Sequence, residues 1–258
     1  MISLQRLTLD SSWFFEWQGI RAIIDPWLVG PEIDSFSWLN KQWHQLDPVA
    51  PQLLPEFQFV LISQSYEDHC HLQTLSEIDQ AIPIFASGKA YDKLRKHFRS
   101  RHISLIPEFA SGESLQYEGF KFQAIHPGNW LDPIYFAILI TSPGGETIFY
   151  APHGFHLKKW QQDVLAERDI AMLFTTFTDF RLPAIMGGHV NPGLDHARWL
   201  EQVLNPRWIV NTHDEEKRAA GLVSKLAKVK YPDYEEASSF FGSRFREIPD
   251  YGLYKFSP

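Results

Sequence analysis

The stretch Phe57-Gln-Phe-Val-Leu-Ile-Ser-Gln-Ser-Tyr-Glu-Asp-His-Cys-His71 decides how the rest of the chain is read. Its first part, Phe59 to Ile62, is a short apolar run, which predicts a buried strand. Ser63, Gln64, Ser65, Tyr66, Glu67, Asp68, His69, Cys70 and His71 then crowd polar and ionisable groups together. Leu72, Leu75 and Ile78 follow at helical spacing. A strand that ends in such a cluster and turns into a helix sets those side chains at the rim of a sheet, where α/β proteins build sites. The helix N-terminus adds partial positive charge there.

Upstream, residues 2 to 24 alternate and then run apolar: Leu4, Leu7, Leu9, Trp13, Phe14, Phe15, Trp17, Ile20, Ala22, Ile23 and Ile24, with Gln18-Gly19 as a turn. This predicts a meander of two or three strands. It stops at Asp25-Pro26-Trp27-Leu28, because Pro26 has no N–H to give a ladder. Residues 29 to 56 carry Pro31, Pro48, Pro51, Pro55 and scattered aromatics. Such an irregular connection reads either as a functional lid or as packed surface loop.

Downstream, the patterning predicts helices over about 72–80 and 88–98, a strand Ile82–Ala86, and short strands near 102–106, 113–117 and 120–126. Tyr117-Glu-Gly-Phe120 is a hairpin turn, and 134–141 pairs with 146–151 across Ser142-Pro-Gly-Gly145. A helix over about 156–167, a strand Leu173–Phe177 and a loop over 179–192 with Gly187-Gly188 come next. The remainder reads as a helix over about 193–204 capped by Asn191, a strand Trp208–Val210 and a helix over about 214–228.

At 258 residues the chain is long enough to bury a substantial core. No Gly/Ser-rich linker divides it, so one domain over 1–258 is expected. Net charge is −7 with both signs interspersed, which argues against a nucleic-acid partner held by a general basic field. The basic segment Lys89–Arg101 reads as the solvated face of a helix. A single cysteine, Cys70, permits no intrachain disulfide. That fits a cytoplasmic or other reducing compartment, and the residue reads as a buried, inert thiol. The N-terminus lacks signal-peptide features, and no window approaches ~20 apolar residues, so no membrane span is expected.

Eleven histidines are many for this length. His69, His126, His153 and His213 each follow an apolar run, and His189 sits in the Gly-rich loop. Imidazoles and carboxylates from separate strand ends can converge on one ion, so this recurrence, with Asp68 beside His69, favours a metal or proton-transfer site. His44, His97, His102, His156 and His196 read as surface or packing residues, and Glu67 as facing solvent or capping the helix.

Asp25-Pro-Trp-Leu28 after a meander, an apolar strand ending in Ser63-Gln-Ser-Tyr-Glu-Asp-His69, and a terminal His213 after Ile209-Val-Asn-Thr together resemble the metallo-β-lactamase fold superfamily. The resemblance is greatest to the branch of the ascorbate-phosphate lactonase and the N-acyl-phosphatidylethanolamine phospholipase D. It covers most of the chain and implies an α/β (α+β) fold, a four-layer αββα sandwich with its site at one edge of two facing sheets. That branch reads His-x-His-x-Asp-His at the strand end. Here its first two histidines fall on Gln64 and Tyr66, so with His126 they form only the remnant of a first metal site. A neutral amide and a phenol of pKa ~10 are poor zinc ligands at neutral pH.

The second site is kept differently. By resemblance its ligands are Asp68, His69, His153 (where the branch has a bridging aspartate) and His213. The resemblance implies one divalent transition metal, zinc first and iron or manganese next, and no nucleotide cofactor. It implies a hydrolase-like protein acting on an ester, lactone or phosphodiester, with Asp68 catalytic. His189, in Gly187-Gly-His-Val-Asn-Pro192, resembles the branch's substrate-side loop and is the second catalytic candidate. Two other readings stay open: a non-hydrolytic binding or structural member, and an iron or redox variant favoured by a Tyr66 phenolate. Phe36, Trp38, Trp43 and Phe180 read as an apolar mouth for a small molecule with an apolar part, or as a homo-oligomer patch.

Overall fold

A computed structural model describes residues 1–33, 35–126 and 135–257. The strands are β1 (Ile2–Arg6), β2 (Trp13–Trp17), β3 (Ile20–Ile24), β4 (Lys41–Trp43), β5 (Phe59–Ile62), β6 (Ile84–Ser87), β7 (Ile103–Ile106), β8 (Leu115–Tyr117) and β9 (Phe120–Ile125). They continue as β10 (Ala137–Thr141), β11 (Thr147–Ala151), β12 (Ile170–Thr175), β13 (Asp179–Arg181), β14 (His189–Pro192), β15 (Trp208–Asn211), β16 (Arg218–Ala220), β17 (Lys228–Lys230) and β18 (Leu253–Phe256). The α-helices are α1 (Leu72–Glu77), α2 (Gly88–His97), α3 (Lys159–Ala166), α4 (Leu194–Leu204), α5 (Leu222–Leu226) and α6 (Tyr234–Phe241).

One sheet has seven strands in the order β18-β1-β2-β3-β5-β6-β7, and the other has six, β15-β12-β11-β10-β9-β8. Each is antiparallel in one half and parallel in the other. The parallel halves are β3-β5-β6-β7 and β11-β12-β15. In β5 the alternation is apolar on both sides, as a strand covered on both faces requires. Phe59 and Leu61 enter the core between the sheets, beside Phe122, Ile138, Tyr150 and Phe174 of the second sheet. Val60 and Ile62 face outward onto Leu75, Ala90 and Leu94 of α1 and α2. On the far side, Leu165, Leu200 and Leu204 of α3 and α4 cover Leu139, Phe149 and Leu173. The layers are therefore α, β, β, α, and the expected sandwich is present. Among the described residues no helix is long and apolar enough to cross a membrane.

Several local expectations are corrected. Residues 214–228 are not one helix. They give β16, which pairs with β4 (Arg218 opposite Trp43), and the short α5. The connection 29–56 is thus not wholly irregular, since it supplies β4. Residues 179–192 are not an open loop but the hairpin β13–β14. Asn191 caps nothing: Gly193 occupies the N-cap of α4. The helix expected from 156 begins at Lys159, and the strand expected at Leu173–Phe177 is Ile170–Thr175. The hairpin across Ser142–Gly145 forms, from Ala137 onward; its expected start at residue 134 lies outside the described residues.

Candidate metal centre

The parallel strands β3, β5, β11, β12 and β15 deliver the polar residues that follow them to one edge of the sandwich. Asp25 follows β3, Ser63 follows β5, His153 lies just past β11, and Thr212-His213 follow β15. The β1–β2 turn adds Asp10. One donor atom from each of Asp68, His69, His153 and His213 lies within 4.8 Å of the others. His69 is fully buried, and Asp68 and His153 are nearly so. This is the four-residue set expected from the sequence, two residues from the first sheet's loops and two from the second's.

Each imidazole is oriented from behind. His69 Nδ1 donates to Asp25 Oδ2 at 2.8 Å. Asp25 also accepts from Ser63 N at 2.7 Å, Ser63 Oγ at 2.5 Å and the Tyr150 hydroxyl at 2.9 Å. Its backbone is left-handed, φ 46°, a conformation that aspartate tolerates better than most residues. His153 Nδ1 donates to the Asn191 amide oxygen at 2.7 Å. His213, also at positive φ (59°), sets Nδ1 3.0 Å from Asp10 Oδ1. Carboxylate or amide partners behind ligating histidines are the usual means of fixing tautomer and ring orientation.

Those partners commit both Nδ1 hydrogens, so in ion-free protein a single proton on His69 Nε2 is what the two Nε2 atoms can share. The two Nε2 atoms stand 3.0 Å apart. Two lone pairs at that distance repel unless a proton or a cation lies between them. Asp68 Oδ1 is 3.7 Å from His69 Nε2, and Asp68 Oδ2 is 3.7 Å from His213 Nε2. Ligands of one tetrahedral zinc, each about 2.0–2.1 Å from it, stand roughly 3.4 Å apart. The buried Asp68 Oδ1 has no hydrogen-bond partner among the described residues. Spacing, orphaned oxygen and the 3-imidazole, 1-carboxylate chemistry all fit a divalent transition metal.

Burial raises the Asp68 carboxyl, but His69, Lys217 and His213 outweigh it and hold the pKa down to about 2. Burial lowers the His69 imidazole, but Asp68 and Asp25 outweigh it and push its pKa up to about 9. Burial, then the neighbouring His213 and His69, drive His153 well below the ordinary histidine range. Burial pushes Cys70 up to about 12, so it is an inert thiol as expected.

The remnant residues lie elsewhere in the same corner. Gln64 is buried, and neither its amide oxygen nor its nitrogen has a hydrogen-bond partner among the described residues. Tyr66 packs on Tyr135 (ring centroids 5.8 Å), which packs on His153 (4.4 Å). His126 sets its ring edge-on to Phe136 at 5.1 Å and is outside the four-residue set. His189 is 3.3 Å from Asp179 and partly exposed, on the hairpin that carries Asn191. Glu67 neither caps α1 nor faces open solvent; it pairs with Lys93 at 2.7 Å, and His71 is the cap. His44 is buried, packed at a tilt against Trp27 and 2.6 Å from Glu215.

Sequence reasoning missed Asp10, Asn191 and Lys217, and gave Asp25 no role. Lys217 Nζ is 2.8 Å from Asp10 Oδ2 and 3.7 Å from Asp68 Oδ2. The available signal was that polar residues following every parallel strand, not histidines alone, share one rim.

A sandwich of two mixed sheets between helices, with a His/Asp cluster at the parallel-strand edge, defines a protein of the metallo-β-lactamase type. The chain belongs to the β-lactamase superfamily domain family, whose model matches residues 8–213. Similar solved structures include Igni18, a metallo hydrolase from Ignicoccus hospitalis, with TM-score 0.69, 14% identity and 99% of both chains covered. The isothiocyanate hydrolase from Delia radicum gut bacteria gives 0.71 and 15%, again over 99% of both chains. CmlA, a diiron β-hydroxylase from Streptomyces venezuelae, gives 0.68 and 14%, covering 99% of this chain and 54% of that one. No protein with a curated description matches the sequence.

Proposed function

We propose that this protein is a metal-dependent hydrolase with a single-ion centre held by Asp68, His69, His153 and His213, acting on a small ester, lactone or phosphodiester. The observation that carries this reading is the convergence of four donor atoms, one from each of these residues, within 4.8 Å of one another around the orphaned, buried Asp68 Oδ1. A divalent ion there would polarise a carbonyl or phosphoryl oxygen and bring the pKa of a water toward neutrality. The chain's own residues do the rest. Asp25, Asn191 and Asp10 hold the imidazoles in register. Asp68, with its low pKa, stays a carboxylate through the neutral range. The Tyr66–Tyr135 pair walls the space beside His153.

Gln64 and Tyr66 replace imidazoles with groups that read a ligand rather than hold a second ion. A buried primary amide without partners costs roughly 1–3 kcal/mol, so a substrate group that pairs with Gln64 recovers that cost. His189 is a pocket-lining group on the adjoining hairpin. The apolar mouth is supported by Phe36 and Trp38, exposed and stacked at 5.9 Å.

The test is hydrolysis of generic esters, lactones and phosphodiesters by ion-loaded protein, alongside His153→Ala and Gln64→His/Tyr66→His. The hydrolase reading expects turnover in the native chain and about a 100-fold or greater loss in His153→Ala. Turnover confined to the Gln64→His/Tyr66→His variant would instead identify a non-hydrolytic binding protein. The same donor set suits iron. A visible charge-transfer band in iron-loaded protein, lost in Tyr66→Phe, would favour the redox reading.

A further inference from the structure

Lys217 sets a nearly buried ammonium beside the four-donor centre without belonging to it. Its Nζ lies 2.8 Å from Asp10 Oδ2, while Asp10 Oδ1 lies 3.0 Å from His213 Nδ1. Its second carboxylate neighbour is Asp68 Oδ2 at 3.7 Å, the oxygen that also faces His213 Nε2 at 3.7 Å. Asp10, His213, Asp68 and Lys217 thus close a ring of alternating charge-bearing groups around one oxygen of Asp68. The other oxygen, Oδ1, is buried, turned toward His69 Nε2, and has no hydrogen-bond partner among the described residues.

The ammonium is held on several sides. It lies over the Trp27 ring at 5.4 Å, and Trp27 packs at a tilt against His44, ring centroids 3.8 Å apart. Two residues before it, Glu215 accepts from Gln45 N at 2.8 Å and lies 2.6 Å from His44 Nδ1. Directly after it, β16 pairs with β4. A lysine so clamped cannot follow Asp68 if the carboxylate turns. It acts as a fixed charge beside Oδ2.

Four donors that each use one atom leave an ion able to take a fifth ligand, and a carboxylate that used both oxygens would occupy that place. Catalytic sites need an open position. We propose that Lys217 is a positioning residue that would confine Asp68 to one-oxygen coordination through Oδ1, leaving the fifth place to substrate, and that its fixed charge lowers the centre's affinity for the ion. This rests on the single-ion reading above.

The experiment uses Co2+ as probe with the full chain, comparing the native protein with Lys217→Met, Lys217→Gln and Lys217→Arg. Affinity and the visible d–d spectrum are the readouts. Lys217→Gln keeps a hydrogen-bond donor for Asp10 while removing the charge, and stands in if Lys217→Met fails to fold. The proposal expects Lys217→Gln to bind Co2+ about 10-fold more tightly or better, since loss of a like charge near a cation strengthens binding. It expects a weaker d–d band in the same variant, as the coordination number rises. Lys217→Arg should restore both toward native values. Native-like affinity and spectrum in Lys217→Gln and Lys217→Met would overturn it, leaving Lys217 a plain ion-pair partner of Asp10. No Co2+ binding by the native chain would overturn the metal reading itself, and the Lys217 proposal with it.

Discussion

At Asp25 both carboxylate oxygens are committed: Oδ1 to Ser63 N, Oδ2 to Ser63 Oγ, His69 and Tyr150. Its grip on His69 has a pH signature. In ion-free protein Asp68 and Asp25 push the His69 pKa up to about 9, against an ordinary 6.5 in an unfolded chain. The raised folded value means that the stability from this imidazolium is complete below pH 6.5 and is lost as pH rises through about 9. An ion needs the same nitrogen without its proton, so its affinity runs the other way, falling about tenfold for each pH unit below about 9. Urea unfolding of ion-free protein and Co2+ titration, each from pH 6 to 10, should give opposite slopes; parallel slopes would contradict the assignment. At this scale strand ends that periodicity reveals made His69, His126, His153 and His213 candidates, and the resemblance to the family narrowed them, with Asp68, to the set of four. Lys217 was not, because Asp214-Glu-Glu-Lys-Arg218 reads as a solvated charge run. Asn191 was not, because an asparagine just ahead of a helix reads as a cap.

The hairpin β13–β14 matters through one close approach. Gly154 follows His153 with φ 74°, and a Cβ there would meet Pro192 Cγ at 2.9 Å and His196 Cδ2 at 3.1 Å. Gly154→Ala should push β14 away and loosen the Asn191–His153 hydrogen bond. Metal affinity should then fall about 10- to 100-fold, as loss of an outer-shell partner does, with Asn191→Ala matching it. Equal affinity in both variants and the native chain would show that the hairpin does not set His153. The misread segment 214–228 belongs to the same scale. Its local propensity is helical, but pairing of β16 with β4 and the Glu215–His44 contact override it. Those partners are more than 170 positions away in the chain, out of reach of any local pattern.

Across the whole molecule the centre joins the two sheets. Asp68 and His69 come from the first sheet's loops, His153 and His213 from the second's, and the core between the sheets carries Trp13, Trp17, Phe59, Phe122 and Phe174. That two-sheet plan came from the resemblance to the metallo-β-lactamase fold; periodicity alone revealed the meander, the apolar β5 and the second run of strands, because burial periodicity is a local signal. The far strand β18 was not legible: it pairs with β1 from the other end of the chain. An ion bound only by the folded state stabilises by mass action, about 4 kcal/mol at a thousandfold excess over Kd. Chelator treatment should therefore lower the melting temperature by roughly 8–16 °C, at about 2–4 °C per kcal/mol for a chain of this size, and an unchanged midpoint would mean that no ion bridges the sheets.

The proposed centre binds one divalent ion per chain through Asp68, His69, His153 and His213. Calorimetric titration of ion-free protein with Zn2+, with metal content measured after dialysis, tests it most directly. The expected stoichiometry is one, abolished in His69→Ala and His153→Ala. Two ions per chain, or none, would contradict it.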